Sequence, residues 1–103
     1  MSPADLVRPQ PPPVHATGDV WLDLIAVADV SNDLRAAMEA RRLFGIAKHG
    51  TPVQRANGRH HGIDGLQELL DAAVYFDADD ERAFALEVLA FADRVMARLP
   101  ATP

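Results

Sequence analysis

Apolar residues recur every three or four positions along most of this 103-residue chain, and no stretch alternates in the manner of a β-strand. The helical spacing occupies three segments, residues 19–45, 63–76 and 79–99. Apolar residues make up 49% of the chain but aromatic residues only 6%, which suits a small helical core and disfavours a β-sandwich. We therefore predict an all-α fold, a small helical bundle.

Local signals predict where these helices begin and end. The run Ser31–Asp33 is a candidate N-cap inside the segment 19–45, which is therefore either one long helix or two abutting helices. Gly45 is expected to begin the exit from that segment, and Gly50–Pro52 is a clear breaker. Asp77 is expected to cap the last helix, with further acids in its first turn.

The first 18 residues are rich in proline and lack apolar periodicity. We predict that residues 1–18 form an extended, polyproline-like arm outside the core and that residues 19–99 form the domain. The arm is either a loosely ordered terminus or a strap onto a neighbouring subunit. Residues 48–62 contain three glycines and no periodicity, and so long a loop is typical of functional or disordered segments.

Length, charge and cysteine content exclude several classes of protein. A chain of this size buries only about 60–68% of its unfolded surface, so completion of the bundle in a homodimer or homotetramer is expected. The absence of cysteine excludes disulfides, thiolate zinc sites and a cysteine nucleophile. The net charge of −5 disfavours nucleic acid as a partner, and no apolar run reaches the ~18 residues of a membrane span. We expect a cytoplasmic protein without a membrane partner.

Acidic residues share one face of the second predicted helix. Asp64, Glu68 and Asp71 follow one another at spacings of four and three, and no Lys or Arg occurs between Asp64 and Glu81. The face is either an ordinary solvated surface or, because nothing offsets the like-charge repulsion, a platform for a hard cation such as Mg²⁺ or Mn²⁺. A zinc site is less favoured, since its candidate nitrogen ligands lie in the loop; they are His49, His60 and His61.

Basic residues lie between the acidic segments. Lys48 and Arg59 are candidates for binding phosphate oxygens, and Asn57-Gly58 predicts a tight turn whose backbone N–H groups cradle anions. The alternative is a polar surface loop whose bases balance the acids. Glu39 is either a further acid for the metal platform or, with Arg35 and Arg42 at helical spacing, part of an ordinary surface ion-pair cluster.

Residues 39–59, EARRLFGIAKHGTPVQRANGR, and residues 63–76, IDGLQELLDAAVYF, resemble the small MazG-like all-α nucleoside triphosphate pyrophosphohydrolases of phages and some bacteria. Those proteins read Glu-Ala-Arg, Gly-x-x-Lys-Tyr-Gly-Thr-Pro-Leu, Asn-Gly-Arg and Asp-x-x-Gln-Glu-x-x-Asp in this order. The resemblance implies Mg²⁺- or Mn²⁺-dependent cleavage of a (deoxy)nucleoside triphosphate to the monophosphate and pyrophosphate. A branch found in phages that use 2-aminoadenine suggests a purine substrate, dGTP or dATP.

The resemblance also implies roles for particular residues. The expected catalytic residues are Glu39, Glu68 and Asp71. The expected metal ligands are Glu39, Asp64, Glu68 and Asp71, and the expected substrate-binding residues are Lys48, Asn57 and Arg59. Ala36 stands where the family has a further acid, and His49 stands where it has tyrosine. The alternative is a non-catalytic helical interaction or oligomerisation protein, whose apolar last helix packs on a partner.

Overall fold

A computed structural model describes residues 1–14 and 16–100 of the chain. The α-helices are α1 (Val20–Val27), α2 (Asn32–His49), α3 (His61–Ala78) and α4 (Arg82–Arg98), and a short 3₁₀ helix spans Pro3–Leu6. Within these described ranges there is no β-strand, so the prediction of an all-helical fold is confirmed.

The chain divides into two compact units. One unit holds Met1–Pro11 and the chain from His60 onward, with α3 and α4, and the other holds Pro12–Arg59, with α1 and α2. The predicted arm, residues 1–18, is thus shared between the two units.

Residues 19–45, which were predicted to form either one long helix or two abutting helices, belong to two separate helices, α1 and α2. Ser31 caps α2, since its hydroxyl accepts a hydrogen bond from the Leu34 N–H at 3.1 Å. The Arg35 side chain then reaches back to α1 and donates to the carbonyl oxygens of Ile25 and Ala28, at 2.6 Å for Ala28. These carbonyls lie at the end of α1 and lack helical partners, so Arg35 fastens the two helices together.

Helix α2 is longer than predicted. It continues through Gly45 to His49 and ends at Gly50, whose φ of +82° is the left-handed cap that glycine adopts without strain. The prediction of an exit at Gly45 was wrong because one interior glycine costs a helix only about 0.5–1 kcal/mol, which neighbouring turns offset. Lys48 and His49 are consequently helical residues and do not belong to the loop.

Helices α3 and α4 form an antiparallel hairpin. The buried residues are Ile63, Leu66 and Ala73 on α3, and on α4 the two alanines Ala85 and Ala92. Beside this core the rings of Phe76 and Phe84 meet edge to face, with centroids 6.1 Å apart. Alanine on α4 allows the helix backbones to approach closely.

The turn between α3 and α4 differs from the prediction. Asp77 is still part of α3, and Glu81 holds the N-cap position of α4. The Asp77 carboxylate instead accepts two hydrogen bonds from Arg82, from Nε at 2.8 Å and from Nη2 at 3.2 Å. The expected cap at Asp77 was wrong because α3 runs to Ala78, two residues beyond the end that its apolar spacing predicts.

Part of the proline-rich segment is folded. Pro3–Leu6 is helical where an extended arm was predicted, and the Asp5 side chain in it is almost fully buried. Asp5 accepts hydrogen bonds from the Ser2 N–H and hydroxyl and pairs with Arg8. The Gln67 side chain of α3 donates to the Leu6 carbonyl at 2.7 Å, which attaches this segment to α3.

None of the helices in the part of the chain that the structure describes is both long and apolar enough to cross a bilayer.

Candidate functional site

Three of the four acids predicted to bind metal, Asp64, Glu68 and Asp71, lie along one face of α3, as expected. Asp64 is in the first turn of the helix and is half-buried, whereas Glu68 and Asp71 are exposed. At 1.5 Å per residue the three positions extend over about 10 Å of helix. The structure therefore places the predicted acidic face within a single compact unit.

Asp64 contacts Gln10, which is remote in sequence, and lies near His61, three positions before it. Its Oδ1 accepts a hydrogen bond from Gln10 Nε2 at 2.7 Å, and its Oδ2 lies 4.0 Å from His61 Nδ1. Gln10 was missed by the sequence analysis because it is a lone polar residue between prolines, 54 positions from its partner. No local sequence pattern predicts a contact between Gln10 and Asp64.

Glu68 and Asp71 make no hydrogen bond or ion pair with any residue in the described ranges. They lie three positions apart, where like charges on a helix repel by about 0.2–0.5 kcal/mol. Nothing in the described chain offsets this repulsion, and a bound cation would.

Glu39 is equally exposed, and the ion pairs expected for it are absent among residues 1–14 and 16–100. Arg35 is directed to the carbonyls of α1, and Arg42 Nε donates to Asp19 Oδ2 at 2.7 Å. Both arginines therefore stabilise the α1–α2 unit, and the surface ion-pair interpretation of Glu39 was wrong.

Lys48 occupies the last turn of α2, where helix geometry separates it from Glu39. Nine residues correspond to about 180° around the helix and about 13 Å along it. The two side chains therefore leave α2 on opposite faces, and the helix does not bring these two predicted site residues together.

Asn57 stabilises the loop after α2. It is almost fully buried, and its Oδ1 accepts the Arg59 N–H at 3.2 Å while its carbonyl accepts the Val14 N–H at 2.7 Å. Gly58, with φ of +84°, completes this turn. The Arg59 N–H is thus used within the turn that was expected to cradle an anion, and the Arg59 side chain is half-buried.

Among the described residues the histidines form no zinc site. His60 is the N-cap of α3, and its Nδ1 accepts the Ile63 N–H at 3.3 Å. In the described parts of the chain no group of three or more His, Asp or Glu side chains is placed to hold one metal ion.

The donor chemistry on α3 nevertheless fits a hard divalent cation. Mg²⁺ prefers oxygen ligands, keeps several waters and is commonly bound through one or two carboxylates together with substrate phosphates. Exposed carboxylates without counter-ions, such as Glu68 and Asp71, meet that requirement without a complete cage of protein ligands.

Comparisons with known proteins add no relative, since no family model, no curated protein and no solved structure matches this chain.

Proposed function

We propose that this chain is a MazG-like pyrophosphohydrolase that cleaves a (deoxy)nucleoside triphosphate to the monophosphate and pyrophosphate. The observation that carries the proposal is the set of exposed carboxylates without ion pairs in the described chain, Glu39, Glu68 and Asp71. The two arginines at helical spacing from Glu39, Arg35 and Arg42, bind the Ala28 carbonyl and Asp19 instead. A purine deoxynucleotide, dGTP or dATP, is the first candidate substrate, and the cytoplasm is where its pool lies.

Each residue has a distinct role in this proposal. Glu68 and Asp71 of α3 would hold Mg²⁺ or Mn²⁺ together with waters and substrate phosphates, and the resemblance implies Asp64 and Glu39 as further ligands. When bound, the metal activates water and offsets charge on the phosphates. Arg59 and Lys48 bind phosphate oxygens, Arg59 in the forked geometry of its guanidinium. A carboxylate without a metal contact accepts the proton of the attacking water.

The experiment that tests the proposal is a panel of nucleoside triphosphates with Mg²⁺ or Mn²⁺ and chromatographic separation of the products. We expect monophosphate and pyrophosphate in equal amounts. Orthophosphate as the first product would contradict a pyrophosphohydrolase even if metal is required.

A second candidate, a non-catalytic helical interaction protein, is favoured by the exposed apolar residues of α4. Phe84 and Phe91 are about half exposed, at 51% and 48%. The two functions differ in their response to metal, because specific binding at 100 times Kd stabilises a fold by about 2.7 kcal/mol. Absence of turnover together with absence of stabilisation by Mn²⁺ would favour the interaction protein.

A further inference from the structure

The Gln10 side chain forms a bridge between two groups at the start of α3. Its Oε1 accepts the His60 N–H at 2.6 Å, and its Nε2 donates to Asp64 Oδ1 at 2.7 Å. Because a backbone N–H is only a donor and a carboxylate is only an acceptor, the two contacts fix which end of the amide faces which partner. Both ends of the Gln10 amide are therefore held.

The segment that carries Gln10 is itself attached to α3 at other points. The 3₁₀ helix Pro3–Leu6 is stabilised by the buried Asp5, and the Leu6 carbonyl accepts a hydrogen bond from Gln67. Gln10 thus contacts Asp64 from a folded segment, so less conformational entropy is lost when its side chain is ordered.

We propose that Gln10 is a positioning residue that orients the Asp64 carboxylate for a divalent cation. This inference rests on the proposed function, because it assumes that Asp64 contributes to a metal site. A hydrogen bond from an amide to one oxygen of a ligating carboxylate sets the direction of the other oxygen, and such outer contacts tune metal affinity. Gln10 itself need not touch metal or substrate.

The test uses the full chain and two matched variants. Gln10→Met keeps the length of the side chain but removes its hydrogen bonds to His60 and Asp64. Gln67→Met removes a second side-chain hydrogen bond between residues 1–11 and α3, also 2.7 Å long, which does not involve Asp64. A merely structural role would make the two variants equivalent.

We expect Gln10→Met to weaken Mn²⁺ binding, titrated without nucleotide, by about 10- to 100-fold. Gln67→Met should leave Mn²⁺ affinity at the wild-type value while lowering the melting temperature by a similar amount. In turnover, Gln10→Met should raise the Mn²⁺ concentration for half-maximal rate and preserve kcat at saturating Mn²⁺.

Hydrogen exchange tests whether Gln10 bridges His60 and Asp64 in the metal-free protein. Hydrogen exchange at the His60 amide should accelerate in Gln10→Met and not in Gln67→Met, since that amide donates to Gln10. Unchanged exchange would overturn the inference, as would equal loss of Mn²⁺ affinity in both variants. If Gln10→Met changes neither Mn²⁺ binding nor turnover, this inference alone is overturned. If the wild-type chain binds no Mn²⁺, the proposed function is overturned as well.

Discussion

Acidic side chains of this protein fall into two groups that differ in their partners. Burial raises the pKa of Asp19, but the hydrogen bonds from Arg42 and the Leu22 N–H, with the charge of Arg42, hold it below its ordinary value. The hydrogen bonds from Arg82 likewise lower the pKa of Asp77. Glu68 and Asp71 belong to the second group, which has no such partner among the described residues. The first group stabilises the fold, and the second is available for ligands.

The exposed acids Glu68 and Asp71 lead to a prediction about single substitutions. Glu68→Gln or Asp71→Asn should reduce kcat by more than tenfold, a loss above about 1.4 kcal/mol, because each removes a proposed metal ligand. The metal-free variants should be as stable as the wild type or slightly more so, since like-charge repulsion is relieved. Steady-state kinetics and thermal melts measure both effects. Glu87→Gln, at an exposed acid of α4, is the control that should keep full activity.

The basic residues of the loop after α2 allow a matched comparison. Arg59→Ala should lower kcat/KM for the triphosphate by about one to three orders of magnitude, about 1.4–4 kcal/mol of charge-assisted contact. Arg55→Ala should have a much smaller effect, because Arg55 donates to Asp23 at 3.2 Å on the surface. Mn²⁺ binding without nucleotide should be unchanged in both. Equal losses in the two variants would argue against phosphate binding by Arg59.

At the scale of the elements, α1 depends on one side chain of α2. Helix α1 has only eight residues and one buried side chain, Ile25, so its own packing is slight. Arg35→Ala removes the donors to the Ile25 and Ala28 carbonyls and should destabilise the fold by about 1–3 kcal/mol. Chemical denaturation followed by circular dichroism measures this loss. Arg41→Ala, which removes an exposed arginine stacked on Phe44 at 4.8 Å, should cost much less.

The Asp77–Arg82 ion pair at the turn between α3 and α4 predicts that the stability of the fold depends on pH. Because the folded-state pKa of Asp77 is below its ordinary value of 3.8, the Asp77–Arg82 pair stabilises the fold above that pH and loses this effect as pH falls through the folded-state pKa. Asp77→Asn should therefore melt at a lower temperature than the wild type at pH 7. The two melting curves should converge below pH 3.8. A gap that stays constant between pH 7 and pH 3 would show that the charge of Asp77 is not the cause.

For the whole molecule, the main feature is the apolar surface that the described chain leaves exposed. Phe84 and Phe91 lie on one stripe of α4 with Val88 and Val95, beside the alanine face that packs on α3. Two phenylalanines about half exposed on one helix are more than a solvated surface requires, and a self-complementary contact between two copies would bury them.

We expect a symmetric homodimer or homotetramer at micromolar concentration, measured by light scattering. Phe91→Ser should shift the assembly toward the monomer. Leu86→Ser is the control, because Leu86 is exposed at 59% on the opposite side of α4 and should not affect assembly. A wild-type monomer at this concentration would contradict the prediction.

The amino-acid sequence by itself determined the helical class, the cap at Ser31, the stop at Gly50 and the acidic face of α3. These features depend on residues within a turn or two of each other, where periodicity and capping set the local free energy. The lengths of α2 and α3 were less predictable, because the helical turns on both sides offset the small cost of an interior Gly45 and local signals fix a helix end only to within one or two residues.

Only the tertiary structure decided which charged and polar groups meet. Arg42 pairs with Asp19 across 23 positions, and Gln10 with Asp64 across 54 positions. Sequence spacing assigned Arg42 to Glu39 because neighbours on one helix are the only contacts that spacing can define. A long side chain that packing brings close to a remote acceptor makes that contact instead, and this choice is what leaves the Glu39 carboxylate exposed.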